Sequence, residues 1–433
     1  MSQEEEEDDE KTMLPNLPHD VIVEILSRLP VASLGRFKLV SKPWNFLISS
    51  RKFIEMHLKK SSCHGEDSCK FRVLMSAYPA WSLICERLDD AGEDDGKKMV
   101  QLPCSDSVFS PFKEMTAYDD SCDVIGACNG LVCFNLEAEK APKQSAIVWN
   151  PSTGEHRHVS EDWVESVVEI DENRPPDFDH FSGYFETFGF GYDSSADEYK
   201  IVKLTLQNDQ SGVARIDILS VGTNKLVKIW DRICGYVRTE CGLFVHGALH
   251  WNLYKEQKTS SAGVFYILSF NFEKEKLEEQ AIPFPSKDGT NALHNITRLY
   301  KLGGKLSVIV IPTNSDSSHS SEVESDHLVD NYEIWVMQEY GVPSSWIKLI
   351  SVDVSVSSSF LPLYMSRNEG ILAVGFCGEI VMHDTKQKTC RALNIPGISE
   401  RKGSLNIYCE LVYSESLVSP YTMPNRKWRE EEI

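Results

Sequence analysis

Residues 14 to 58 read LPNLPHDVIVEILSRLPVASLGRFKLVSKPWNFLISSRKFIEMHL. Ile22, Ile25, Leu26 and Leu29 recur at helical spacing, and Pro30 ends that helix because proline excludes the helical conformation of the residue before it. Leu34, Phe37 and Val40, at three-residue steps, mark a second helix, with Ser33 placed to cap it. Ser41 is placed to cap a third helix, which tolerates Pro43 in its first turn and carries Trp44, Leu47 and Ile48 on one side. Phe53, Met56 and His57 continue a fourth helical segment toward Leu58. So short a bundle buries a small fraction of its surface, so this many large apolar residues imply a partner helix or a neighbouring domain. The plainer alternative is a helical cap that serves only the rest of the chain.

Beyond Ser61 the period changes from helix to strand. Phe71 to Met75, Leu83 to Leu88 and Met99 to Leu102 read as strands between polar, Gly-containing loops. A degenerate unit then recurs. Ile125 to Phe134 followed by Ile147 to Pro151 resembles Val245 to Asn252 followed by Ile267 to Phe272. Leu302 to Leu306 with Tyr332 to Val336, and Gly370 to Val374 with Ile380 to His383, repeat it. Roughly 40 to 55 residues per unit, with about four strands each, is the period of a β-propeller, where radial repetition protects strand edges. We expect five blades near 124–159, 185–231, 241–285, 296–354 and 367–395, and a sixth that joins strands from 71 to 102 with a strand at 405–413. Seven blades, or two facing sheets, are the alternatives. Residues 160–184 and 313–330 break the repeat and read as long surface excursions.

The 433 residues carry a net charge of -21, which argues against nucleic acid and acidic lipid as partners, because phosphate contacts need clustered Lys and Arg. Glu4 to Glu10 is an acidic run expected to be solvated and disordered. No apolar run approaches the ~20 residues that span a bilayer, and the first residues lack the order of a secretory signal. The expected compartment is therefore intracellular, and the twelve cysteines read as reduced thiols. Cys122, Cys128 and Cys133 sit in strand-like context and read as small buried hydrophobes, not zinc ligands.

Catalytic patterns are weak. Gly189-Phe-Gly191 lacks the third glycine and following helix of a dinucleotide site, and there is no phosphate loop. His246 and His250 share a strand face without a third ligand, so no metal site is assigned. Asp193, Asp197 and Glu198 have the setting of a hairpin turn. Trp149, Trp230, Trp251, Trp335 and Trp346 read as packing between blades. Tyr192, Tyr236 and Tyr254 read as candidates for a recognition face. No catalytic residue, metal or cofactor is assigned.

The order Leu17-Pro18, Ile25-Leu26, Leu29-Pro30, Leu34, Phe37, Val40, Lys42, Trp44 resembles an F-box, with Pro43 as a departure. The stretches Val148-Trp-Asn-Pro-Ser-Thr-Gly154, Phe188 to Asp193, Gly247 to Trp251, Glu333-Ile-Trp335 and Glu415-Ser-Leu-Val418 resemble the F-box-associated, kelch-like domain of plant F-box proteins. Only Gly303-Gly304 supplies a kelch-type glycine pair. The resemblance implies an α+β chain of two domains: a small N-terminal α-helical F-box, then an all-β, propeller-like domain of about six blades. Its boundaries would be an acidic tail 1–12, F-box 13–58, linker 59–70, β domain 71–418 and tail 419–433. It further implies a non-catalytic substrate receptor of an SCF-type ubiquitin ligase in the cytoplasm or nucleus. Leu17, Pro18, Ile22, Ile25, Leu26, Leu29, Pro30, Leu34, Phe37, Val40 and Trp44 would contact a Skp-type adaptor, and through it cullin and a RING subunit. The β domain would hold an unidentified target protein. A propeller enzyme with a helical cap, and an F-box scaffold acting without cullin, are the competing readings.

Overall fold

Two prolines set the helical punctuation: Pro18 and Pro30 occupy the N-cap positions of α1 (His19–Leu26) and α2 (Val31–Phe37). The computed structural model describes residues 17–62, 71–78, 83–87, 100–102, 120–138, 145–160, 166–170, 184–207, 212–237, 239, 241–255, 264–282, 294–312, 331–353, 361–365, 370–374, 380–392 and 406–421. Ser33, expected as the cap of the second helix, lies inside α2, because Pro30 takes the N-cap position; the first helix has already ended at Leu26, four residues before Pro30. Ser41 does cap α3 (Lys42–Ser49), its hydroxyl accepting the Trp44 N–H at 3.3 Å. The next helix, α4 (Arg51–Ser62), runs past Leu58 into the stretch expected as linker. The acidic run and most of both excursions lie outside the described residues.

The described strands form six antiparallel four-stranded sets, five of them consecutive in sequence. Blade one is composite: Asn406–Ser414 pairs with Phe71–Tyr78, followed by Leu83–Arg87 and Val100–Leu102. The inner strands of blades two to six are Asp120–Cys128, Tyr184–Asp193, Cys241–Val245, His294–Leu302 and Leu361–Met365. Each inner strand contacts the next around the circle, and Leu361–Met365 contacts Asn406–Ser414. That closes the ring at six blades. Blades three and four even share a short parallel pairing, Cys241 to Phe188 and Gly242 to Gly189. Part of the excursion at 160–184 is strand: Ser166–Ile170 adds in parallel to the outer strand Lys225–Arg232 of blade three and covers its edge.

The core lies between blades. Val132, Phe134, Ile147 and Trp149 of blade two pack on Tyr413 of blade one, and Val202, Leu204 and Ile216 of blade three pack on Leu249, Trp251 and Phe270 of blade four. Trp149, Trp251 and Trp346 are buried between blades as expected, and Trp335 packs partly buried against the cluster between blades four and five. Trp230 is buried too, but against Val213 and Arg215 of its own blade, a correction to the expected packing between blades. Close packing also explains the Gly189-Phe-Gly191 pattern. A Cβ on Gly189 would lie 2.7 Å from Leu249, and one on Gly191 would lie 2.4 Å from Phe244 and 2.6 Å from Phe272.

Within each blade the first-to-second and third-to-fourth connections fall at one end of the ring. Phe71 pairs with Ser414 at that same end, so the helices, which lead into Phe71, and the segment that follows Ser414 meet there. Asn150 ties that segment down. Its Oδ1 accepts the N–H groups of Ser152 and Thr153 at 2.8 and 3.3 Å, shaping the turn between the last two strands of blade two. Its Nδ2 donates to the carbonyls of Ser416 at 3.0 Å and Val418 at 2.7 Å. Gly130, at φ +82°, leaves room for the strap, since a Cβ there would sit 2.3 Å from the Ser416 hydroxyl.

Gly191→Ala should lower unfolding stability by about 1–3 kcal/mol through overpacking against fixed rings. Denaturant titration measures it. Unaltered stability would show that Phe244 and Phe272 yield freely.

Candidate functional site

The helical module buries one set of apolar side chains and leaves another in water. Leu26, Val31, Leu34, Ile48 and Phe53 form its core together with Leu417 from the strap. Ile22, Leu29, Phe37, Trp44 and Leu47 pack partly buried around them, with Phe37 and Trp44 edge to face at 5.4 Å between ring centroids. Pro30 is also half-buried. The α4 helix is laced back to α1: Lys60 donates to Glu24 at 2.5 Å and to the Ser27 hydroxyl at 2.7 Å. The Lys60 and Arg28 hydrogen bonds hold the Glu24 carboxyl below its usual range. His57 lies 3.0 Å from the Leu29 carbonyl.

The other face of α4 meets the propeller. Ile54 and Leu58 pack against the buried cluster of Ile125, Cys128, Phe190, Tyr199 and Val418 between blades two and three. Arg51 pairs with Asp197, a residue at φ +56° in the hairpin turn of blade three. Tyr192 donates its hydroxyl to the same Asp197. Tyr192, expected as a recognition residue, is therefore part of this seam.

After the module's core and the propeller seam have taken their share, six large apolar side chains stay exposed. Leu17, Val21 and Ile25 follow one another four residues apart along α1 and its lead-in, at 57%, 41% and 48% exposure. Leu39 and Val40 in the turn after α2 are 87% and 65% exposed, and Phe46 on α3 is 76% exposed. Only five other large hydrophobics are exposed among the described residues, all on the propeller. This concentration is more than chance scatter on a water-facing surface.

The sequence-predicted docking residues divide accordingly. Leu17, Pro18, Ile25 and Val40 are exposed; Ile22, Leu29, Pro30, Phe37 and Trp44 are half-buried supports. Leu26 and Leu34, at 2% and 0% exposure, are corrected to core residues, because their side of each helix is filled by Ile48, Phe53 and Leu417. Val21, Leu39 and Phe46, which the sequence reading does not single out, are also exposed. Val21 was legible as the helical neighbour of both Leu17 and Ile25. Phe46 was legible as the apolar residue of α3 outside the Trp44, Leu47, Ile48 stripe. Leu39 falls on no period.

On the propeller, the acidic cluster is a built turn. Asp193 Oδ1 accepts from the N–H and hydroxyl of Ser195 and the N–H of Ala196, while Oδ2 accepts from Lys200 at 2.7 Å. Burial pushes the Asp193 carboxyl up, but Lys200, Ser195 and Ala196 outweigh it and hold the group below its usual range. His246, in a turn at φ +49°, and His250, in the strand after it, both touch the ring of Tyr340. The His250 Nδ1 faces the Leu243 carbonyl at 3.2 Å and its Nε2 faces the Tyr340 hydroxyl at 2.9 Å. Both ring nitrogens are engaged, so neither is offered to a metal, and among the described residues no three His, Cys, Asp or Glu converge as ligands. At the end of the ring away from the helices, Tyr236 is exposed, Tyr254 packs on Phe265, and Lys255 stands 4.9 Å from the Tyr266 ring.

Burial lowers the His250 pKa to about 4. The unfolded chain takes up a proton near pH 6.5 that the folded chain refuses until about pH 4. This group's contribution is therefore present above pH 6.5 and lost as pH falls toward 4, at up to about 1.4 kcal/mol per pH unit. The loss of stability between pH 6.5 and 4.5 should be smaller in His250→Gln than in the parent chain, measured by denaturant midpoints. Equal losses would contradict a buried neutral imidazole.

Residues 14–56 match the F-box domain family and residues 98–420 match the F-box associated beta propeller domain family. An F-box/kelch-repeat protein of Arabidopsis thaliana is 28% identical over 367 residues, 81% of this chain and 83% of that one. A second Arabidopsis thaliana F-box protein is 25% identical over 383 residues, 82% of this chain and 76% of its own. The Arabidopsis thaliana F-box protein CPR1 is 24% identical over 382 residues, covering 82% and 78% respectively.

Proposed function

The chain belongs to the F-box proteins that carry an F-box-associated β-propeller, and on that premise we propose that it is the substrate receptor of an SCF-type ubiquitin ligase. The observation that carries this reading is the cluster of Leu17, Val21, Ile25, Leu39, Val40 and Phe46, left exposed after the F-box has filled its own core and docked on the propeller. Burying such a face against an adaptor releases it from water at about 25 cal/mol per Å².

In this reading the F-box binds a Skp-type adaptor that leads to cullin and a RING subunit, in the cytoplasm or nucleus. No described helix is long and apolar enough to cross a membrane. The propeller holds the target at its other end, where Tyr236 is exposed. Such a receptor acts by tethering. It raises the local concentration of target lysines near a conjugating enzyme, and the bond chemistry is supplied by its partners.

Val40→Asp and Ile25→Asp, made together, should abolish co-purification of a Skp-type adaptor, by placing unpaired charge in a desolvated contact. Their effect on thermal unfolding should be small. Leu26→Asp should also abolish it, but with loss of the helical signal, because that side chain is core. Undiminished adaptor recovery with the double variant would overturn the reading.

A further inference from the structure

We propose that docking of the adaptor by the F-box is conditional on closure of the propeller ring, because one continuous segment, residues 406–418, both closes the ring and completes the F-box core. This rests on the receptor reading above. The first part of the segment, Asn406–Ser414, is the strand that seals blade one against Phe71–Tyr78. The remainder, Glu415 to Val418, crosses directly to the F-box. Glu415, Ser416, Leu417 and Val418 are all buried.

The strap works as a wedge with two faces. Leu417 enters the F-box core beside Leu26, Val31, Leu34, Ile48 and Phe53. Val418 enters the cluster between blades two and three, the cluster on which Ile54 and Leu58 of α4 pack. Asn150 grips the carbonyls on either side of Leu417, so the leucine is presented by blade two. Before the closing strand is in place, the F-box lacks a core side chain and α4 lacks part of its seat.

The docking face depends on that core. Ile25 precedes core residue Leu26 on α1, and Leu39 and Val40 follow α2, which is anchored through Val31 and Leu34. A hole opposite Leu26 and Leu34 loosens the elements that carry the exposed cluster. An incompletely closed receptor is thereby denied a partner, and the ligase recruits only chains whose propeller is finished. Leu417 and Asn150 are positioning residues in this scheme; neither belongs to the exposed cluster.

The test uses the full chain with Leu417→Ala, Leu417→Met and Asn150→Ala, reading affinity for a purified Skp-type adaptor and hydrogen exchange on the same samples. Leu417→Ala and Asn150→Ala should weaken adaptor binding at least tenfold and quicken exchange in α1 to α3. Strands of blades four and five should keep their protection. Leu417→Met, which refills the hole, should bind within about threefold of the parent. Parent-like affinity with parent-like helix protection in both Leu417→Ala and Asn150→Ala would overturn the coupling. Should Leu417→Ala fail to fold, Leu417→Val takes its place with the same expected direction. A parent chain that binds no adaptor would sink the receptor reading alone. Exchange would still decide the coupling, with quickened helices supporting it and unchanged helices overturning it.

Discussion

The pairing of Phe71–Tyr78 with Asn406–Ser414 is the constraint on which the architecture rests. Each blade of a propeller is a small sheet with exposed edges, stable only between its neighbours. A closing pair drawn from distant parts of the chain makes the six sets into one ring. It also fixes where the F-box sits, since Phe71 and Ser414 are register partners. The helices that lead into one, and the strap that leaves the other, must meet at the same end.

From that meeting follows a division of labour among the apolar side chains of the F-box. Core leucines and isoleucines are satisfied by each other and by Leu417, and the inner face of α4 is satisfied by blades two and three. The exposed side chains on α1, α3 and the turn after α2 have no such partner within their own fold. The Arg51 to Asp197 pair, half-exposed on the arginine side, adds direction more than energy. Apolar packing around Ile54, Leu58 and Leu417 supplies most of the attachment.

Much of this was legible in the sequence. Helical period and proline placement give the helices of the F-box, and the recurring strand unit gives six blades and the joining of distant strands in blade one. Periodicity identifies apolar faces but does not say what fills them. Leu26 and Leu34 were thus read as contact residues, while Leu39 and Phe46, the most exposed of all, went unread. The Asn150-Pro151-Ser152-Thr153-Gly154 stretch announces a turn through its side-chain acceptor. Its donor side serves a partner 266 residues away, which local pattern cannot reveal. The two glycines around Phe190 illustrate the same limit, since their need arises from Leu249, Phe244 and Phe272 of the next blade.

The central claim is that the face left exposed by F-box packing is the face that docks. Hydrogen exchange of the full chain with and without a purified Skp-type adaptor tests it directly. New protection should appear in residues 17–25 and 39–46 and be absent from the α4 side facing blades two and three. Protection confined to the propeller, or spread over α4 with none at 39–46, would contradict the account.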